Sequence, residues 1–408
     1  MFERDAPGRI GPKETVVLLA GLMALNAFAI DAMIPALPDI GADLGVADHN
    51  RRQLVVVAYM LGFGSTQLLW GPLADRFGRK PILAAGIALY TIFAMLCGIA
   101  KSFELLIASR FAMGASAAVS RVLVVAMVRD IFEGEEMARV MSLTFMVFMV
   151  VPVIAPSIGQ IILVAGPWRL IFIVLGAYAL ILGIWSWLRL PETLHPEYRR
   201  SLNATEIFSA IGLALTDRLS LGYTLALTAT FGGLTAYIAS IQQIVFDAFN
   251  APRAIGLVFA LVAAPMAAAS WGNSRIVTKF GVRRVGHSGL IAFAMVTIMH
   301  AIVASLFEEP LWVFVSFMSA AFVGFAFTSS NLSTLAMRNM APIAGTASSV
   351  QGVVGTIGGA IIGFAIGQAF DGSVRPFLFG LAACAIAAVA ATLVTERGRL
   401  FGAMEKTL

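Results

Sequence analysis

Twelve apolar runs, each long enough to cross a bilayer, follow one another along this chain. They lie near residues 15–38, 52–74, 82–100, 103–128, 138–162, 168–188, 222–245, 253–277, 286–306, 311–335, 342–367 and 376–395. About 20 residues suffice for one crossing. In hydrocarbon every backbone polar group must be satisfied within the span, so such runs fold as helices. Composition agrees: 59% of the residues are apolar and 12% charged, roughly half the charged share of a soluble domain. The predicted class is an all-α polytopic membrane protein with 12 transmembrane helices in two six-helix bundles. The amino terminus has a second reading as a cleaved signal peptide. Arg4, Arg9 and Lys13 precede an apolar run, and Ala27-Phe28-Ala29 fits a cleavage site. The run to Pro38 is longer than a signal core and many spans follow, which favours a first span.

Lysines and arginines set the orientation. With both termini cytoplasmic, 20 of the 28 fall in inner segments, six in outer loops, and two, Arg110 and Arg121, inside a span. That asymmetry is a positive-inside signal. The longest polar stretch divides the chain into an N-terminal bundle (1–188), an inter-bundle linker (189–221) and a C-terminal bundle (222–408). Ile207, Ile211, Leu213 and Leu215 in the linker allow an amphipathic surface helix, and a bare linker is the alternative. The halves echo each other: Thr278-Lys-Phe-Gly-Val-Arg-Arg284 resembles Asp75-Arg-Phe-Gly-Arg-Lys-Pro81, each after the second span of its half. A weak repeat of half the chain length fits a duplicated transporter. Thr278 stands where the first copy has Asp75, so the halves are not equivalent.

Between the second and third spans lies Gly71-Pro-Leu-Ala-Asp75-Arg76-Phe-Gly78-Arg79-Lys80-Pro81. Gly71, Pro72, Gly78 and Pro81 predict helix breaks and a tight turn. Arg76, Arg79 and Lys80 predict a cytoplasmic location. The stretch resembles the signature loop of the major facilitator superfamily. Arg110-Phe-Ala-Met-Gly114 resembles that superfamily's fourth-helix motif, and Pro152-Val-Ile-Ala-Pro156-Ser-Ile-Gly159 its proline/glycine antiporter motif. Gln160 replaces the glycine usual after Gly159. Ile30-Asp31-Ala-Met-Ile-Pro35-Ala-Leu-Pro38, Val128-Arg129-Asp130 and Leu190-Pro191-Glu192-Thr193-Leu194 resemble twelve-span drug:proton antiporters, nearest the bicyclomycin/chloramphenicol-resistance subfamily. The resemblance implies the major facilitator fold and a cytoplasmic gate of Gly71, Asp75, Arg76, Gly78, Arg79, Lys80 and Asp130. Asp75 would face the amino end of the eleventh helix, and Arg79 would pair with Asp130.

Asp31 is the only acid well inside a span. A charge at mid-bilayer costs about 2.5–3.5 kcal/mol on the lenient insertion scale, so it marks function first. Asp31 and Arg110 lie at one expected depth, about 10 Å below the outer surface at 1.5 Å per residue. They are the proton-coupling candidates. An apolar wall favours the protonated acid and a guanidinium the carboxylate, so moving one past the other would change proton affinity. A static pair locking the first and fourth helices is the other reading. Arg121 follows Arg110 by eleven positions, nearly the same helix face, where relatives by resemblance carry a small residue. It would either contact an anionic or strongly polar substrate or reach the inner headgroups. Further substrate-cavity candidates are Asn26, Tyr59, Gln67, Tyr237, Gln242 and Asn331.

Gly355, Gly359, Gly363 and Gly367 recur every fourth position and predict a close helix approach, static or sliding. Pro152, Pro156 and Pro265 predict bent or loosened helices. No phosphate-binding loop is present, which argues against an ATP-driven pump. The histidines at 49, 195, 287 and 300 lack metal-ligand spacing, and Cys97 and Cys384 lie in apolar runs. No metal, organic cofactor or catalytic residue is expected; the coupling ion is the proton. The expected partners are a small-molecule substrate and the lipid bilayer, with no nucleic acid, and the chain is expected to work as a monomer in a bacterial inner membrane. Proton-coupled efflux of small neutral or anionic antimicrobial compounds is the expected function. Import of a small polar metabolite is the alternative, and an intramembrane enzyme a remote one.

Overall fold

The computed structural model describes residues 11–194, 197 and 204–401. Arg4, Arg9, His195 and the side chain of Ile207, all used above, lie outside the described residues. The chain is helical throughout the described residues, and its packing divides it into two compact units, Met1–Asn203 and Ala204–Leu408. In the first, α1 (Pro12–Asp31) and the short α2 (Leu37–Asp43) are followed by α3 (Leu54–Phe77), α4 (Arg79–Gly98), α5 (Phe103–Ile131), α6 (Gly134–Ala165) and α7 (Arg169–Arg189). In the second, α8 (Ala204–Thr216) precedes α9 (Arg218–Gln243), α10 (Ile255–Phe280), α11 (Val282–Leu306), α12 (Leu311–Ala336), α13 (Ala344–Gln368) and α14 (Arg375–Thr395). Among the described residues 11 helical segments are long and apolar enough to cross a membrane. The 32-residue α6, apolar over Val151–Ala165, supplies a further crossing.

The first span differs from its expected form. One helix over 15–38 was the expectation, but α1 stops at Asp31, a 3₁₀ turn covers Ile34–Ala36, and α2 starts at Leu37. Pro35 explains the break, since it has no N–H for the carbonyl of Asp31 four residues earlier and its ring crowds that carbonyl; Pro38 lies in the first turn of α2, where proline is tolerated. The linker also contains a formed helix, α8, and the seventh span begins at Arg218. Phe208, Leu213 and Leu215 are exposed on α8, with Ala214 buried.

The turn at 71–81 is shorter than the sequence indicates. Gly71 and Pro72 are interior residues of α3, so neither breaks the helix, and Gly78 alone separates α3 from α4. Proline's missing N–H costs one helical bond, which packed neighbours tolerate in a membrane helix. Gly78 has φ 103° and ψ 150°, a region open essentially to glycine alone. Gly281 makes the same one-residue turn between α10 and α11, with φ 82° and ψ 152°.

The repeat extends through the packing. The first and fifth spans of each half pack together (α1 with α6, α9 with α13), as do the second and fourth (α3 with α5, α10 with α12) and the third and sixth (α4 with α7, α11 with α14). The small-residue stripe on α13 serves the α9 contact. Gly359 abuts Phe231 and Thr235, and Gly363 lies against the backbone of Ala236, whereas Gly355 faces open space. At one end, Arg169 donates to Ala100 O at 3.0 Å, and Arg375 donates to Ala304 O at 3.0 Å. In each case the first residue of the sixth helix of a half caps the end of the third. At the opposite end, Arg189 of α7 holds Glu14 of α1 with two hydrogen bonds of 2.8 Å. Arg218 of α9 likewise donates to Thr395 O of α14 at 2.7 Å.

Candidate functional site

Two glycines let α3 and α5 meet backbone to backbone. A Cβ on Gly62 would overlap the carbonyl oxygen of Phe111, and one on Gly114 that of Tyr59. This approach brings Arg110 of α5, fully buried, within reach of neighbouring main chains. Its Nε donates to Val55 O of α3 at 2.9 Å and its Nη1 to Ala29 O of α1 at 3.0 Å. The guanidinium lies over the Tyr59 ring at 4.5 Å and the Phe172 ring of α7 at 5.7 Å. Carbonyl dipoles and aromatic faces thus offset the cost of a buried cation, and one side chain ties four helices together.

The expected pairing with Asp31 does not form. The two residues do share a depth, because Ala29 precedes Asp31 by two positions, about 3 Å along the helix. The guanidinium instead gives Nε and Nη1 to the two carbonyls, and its Nη2 is buried without a partner. Asp31 is 3% exposed, ends α1, and makes no side-chain hydrogen bond or ion pair with the described residues; its Oδ1 is buried without a partner. Its flanks are held on both sides. Arg110 grips the carbonyl of Ala29, and on the other flank a Cβ on Gly159 would overlap the carbonyl oxygen of Ala32. The antiporter-motif helix α6 therefore packs on the residue next to Asp31. Pro156 and Gly159 are buried there, and Pro152 is half-buried in the same helix.

Asn26, one turn before Asp31, is the hub of a buried polar network. It donates to Ser120 Oγ at 2.8 Å and accepts from Tyr59 OH at 3.1 Å. Ser120 was missed, though a hydroxyl in an apolar run could have been flagged as the amides were. Gln67 is buried, at 5% exposure, and Arg121 is exposed. The remaining cavity candidates belong to the second unit. Tyr237 and Gln242 are buried, the Tyr237 ring lying 5.1 Å from that of Phe322. Asn331 of α12 donates to Asn273 Oδ1 of α10 at 2.7 Å, a partner the sequence did not mark.

The Gly78 turn is the best-organised charged cluster in the first unit. Arg79 Nε lies 2.6 Å from Asp130 Oδ2, as expected, and its Nη1 lies 3.2 Å from Asp75 Oδ1. Arg76 and Lys80 stand apart from those acids, over the rings of Phe77 and Trp187 at 5.2 Å each. Gly71, inside α3, meets only Val122, so it is not part of the turn. The sequence missed the contribution of the segment after α7. Glu192 accepts from the N–H groups of Arg79 at 2.9 Å and Lys80 at 3.2 Å, the two first residues of α4. Those amides have no intrahelical acceptor, and the helix dipole favours an anion there. Thr193 donates to Asp130 Oδ2 at 2.9 Å. The Leu190–Leu194 motif thus joins the ends of α3, α4, α5 and α7.

Two repeated sets of six spans, with a buried acid, a buried arginine and a charged turn between the second and third helices, are the arrangement of a membrane transporter. Comparison with known proteins places it further. The sequence pattern of the Major Facilitator Superfamily matches residues 19–363, and the chain belongs to that superfamily, whose members are transporters and not enzymes. It is 32% identical to a bicyclomycin resistance protein homolog of Haemophilus influenzae, over 92% of this chain and 94% of that protein. It is 28% identical to a chloramphenicol resistance protein of Pseudomonas aeruginosa, over 88% of this chain and 84% of that one. The crystal structure of the human organic anion transporter MFSD10 (TETRAN) shares the fold, with a TM-score of 0.68 and 15% identity, covering 94% of this chain and 100% of that one. The protein is a multi-pass membrane transporter related to drug-resistance efflux proteins.

Proposed function

We propose that the protein exports small neutral or anionic antimicrobial compounds across the bacterial inner membrane in exchange for protons, by alternating access. Both termini would be cytoplasmic, as the lysine and arginine distribution indicates. The observation that carries the proposal is Asp31, a buried carboxyl group with an unpartnered oxygen at a helix break, gripped on either side by Arg110 and by Gly159. An ionised carboxylate with no partner is costly away from water. Loss of the proton must therefore coincide with the arrival of water or a polar group, which a change of access supplies. Because Arg110 and α6 hold the backbone at Ala29 and Ala32, a shift of either helix alters the surroundings of Asp31. The named relatives support a drug-like cargo, and Arg121 supports neutral or anionic compounds over cations.

One proton moving inward contributes about 2.3 kcal/mol per 100 mV, enough for a several-tenfold gradient at about 1.4 kcal/mol per factor of ten. The experiment is uptake of labelled chloramphenicol and bicyclomycin into inside-out vesicles, with and without a protonophore. Accumulation abolished by the protonophore is expected. Protonophore-sensitive accumulation in right-side-out vesicles instead would favour import.

A further inference from the structure

The second unit contains a buried hydrogen-bonded chain that the transport proposal does not use. Glu396 immediately follows α14 and is 7% exposed. It is paired with Arg283 of α11 through Nη2 and through Nε, the latter at 3.1 Å, and accepts from the hydroxyl of Tyr223 on α9. His287, one turn after Arg283 and 1% exposed, places Nε2 3.1 Å from the Tyr223 oxygen. Its other nitrogen, Nδ1, lies 3.3 Å from the backbone nitrogen of Phe401, whose ring packs edge-on at 5.8 Å. The cluster occupies the same place in its half as Glu192 does in the first, after the sixth helix and beside the Gly281 turn.

Donor and acceptor chemistry fixes the protonation of this chain. A backbone N–H only donates, so His287 Nδ1 must carry a lone pair. The neutral ring then bears its proton on Nε2 and donates to Tyr223, whose hydroxyl proton is already directed at Glu396. Every group is satisfied when His287 is neutral. A proton added to Nδ1 would set it against the Phe401 N–H, two donors facing each other, and that bond would be lost.

We propose that His287 is a pH-sensitive clamp on the segment after α14, closed when the imidazole is neutral and released when it is protonated. The charged groups that act on it are Glu396 and Arg283. From the packed elements, α9 adds Tyr223 and Arg218, the latter engaged with Thr395 O. The segment itself adds Arg397 and Arg399, and α11 adds Arg284, all three exposed. Arg275 and Lys279 of α10 are exposed and lie over Trp271 and Phe280. Beside Gly286, α12 presents Asn331 and Leu332, neither of which titrates. The clamp holds above the imidazole's titration and opens as pH falls through it.

The test uses the full chain with Arg399→Cys carrying a nitroxide spin label, in detergent micelles, titrated from pH 8 to pH 3.5. The label is expected to be immobilised at high pH and to become mobile along a single-proton curve. His287→Gln should hold it immobilised throughout, because Gln offers an acceptor and a donor but does not titrate. His287→Asn serves if the Gln variant fails to fold, with the same expectation. Label mobility that is independent of pH in the parent protein overturns the proposal, as does an unchanged titration in the Gln or Asn variant.

Discussion

The Gly78 turn allows a prediction with its own internal control. Gly78→Ala places a Cβ 2.5 Å from Glu192 Oε2 and 3.2 Å from its Cδ. The carboxyl group must then move, giving up its bonds to the amides of Arg79 and Lys80. Gly281→Ala imposes a comparable backbone strain where nothing lies within 4 Å. That strain is about 1–3 kcal/mol. Losing the carboxylate that caps α4 adds about 0.5–2 kcal/mol, the cost of losing a helix N-cap. Gly78→Ala should therefore exceed Gly281→Ala by about 0.5–2 kcal/mol. Glu192→Ala should cost about 1 kcal/mol by the same capping argument, and in that background Gly78→Ala should shrink toward its strain component alone. Unfolding of the purified protein in one detergent, followed by tryptophan fluorescence, measures all four variants. An identical cost of Gly78→Ala with and without Glu192 would refute the capping role.

Other substitutions test other links in the account. Gly159→Ala should force α6 away from Ala32 and reduce transport at least tenfold, whereas Gly355→Ala, which meets nothing within 4 Å, should leave it within twofold; vesicle uptake of chloramphenicol compares them. Tyr59→Phe removes one bond to Asn26 and leaves its oxygen unpaired, which should lower stability by about 1–3 kcal/mol in the same unfolding assay. Asp75→Asn should slow transport more than it weakens binding of a labelled drug, and an equal loss of binding would contradict a gating role. If Arg121 contacts cargo, Arg121→Ala should reduce transport of anionic compounds more than neutral ones, and unchanged uptake of both would exclude that contact.

Span positions were legible in the sequence because each apolar run must satisfy its own backbone. The half-length repeat was legible too, and Gly78 and Gly281 make matching turns. Arg79 and Asp130 meet as the resemblance implied. What the sequence obscured depends on tertiary contacts. Arg110 was matched to the only acid near its depth, but backbone carbonyls, which no side-chain inventory lists, take its Nε and Nη1. Glu192 stood in a quoted motif, yet its role required knowing that the end of α7 returns to the start of α4. Gly71 and Pro72 were weighed as helix breakers, while packing against α5 carries the helix through them. The break after Asp31 had a visible signal in Pro35, outweighed by the continuity of the apolar run.

The most direct test of proton coupling is proton movement itself. Purified protein in proteoliposomes loaded with a pH-sensitive dye is given chloramphenicol, and the drug-dependent proton flux is recorded beside that of Asp31→Asn. The account predicts flux in the parent protein and none in a folded Asp31→Asn variant that still binds the drug. Undiminished drug-dependent proton flux in Asp31→Asn would contradict it.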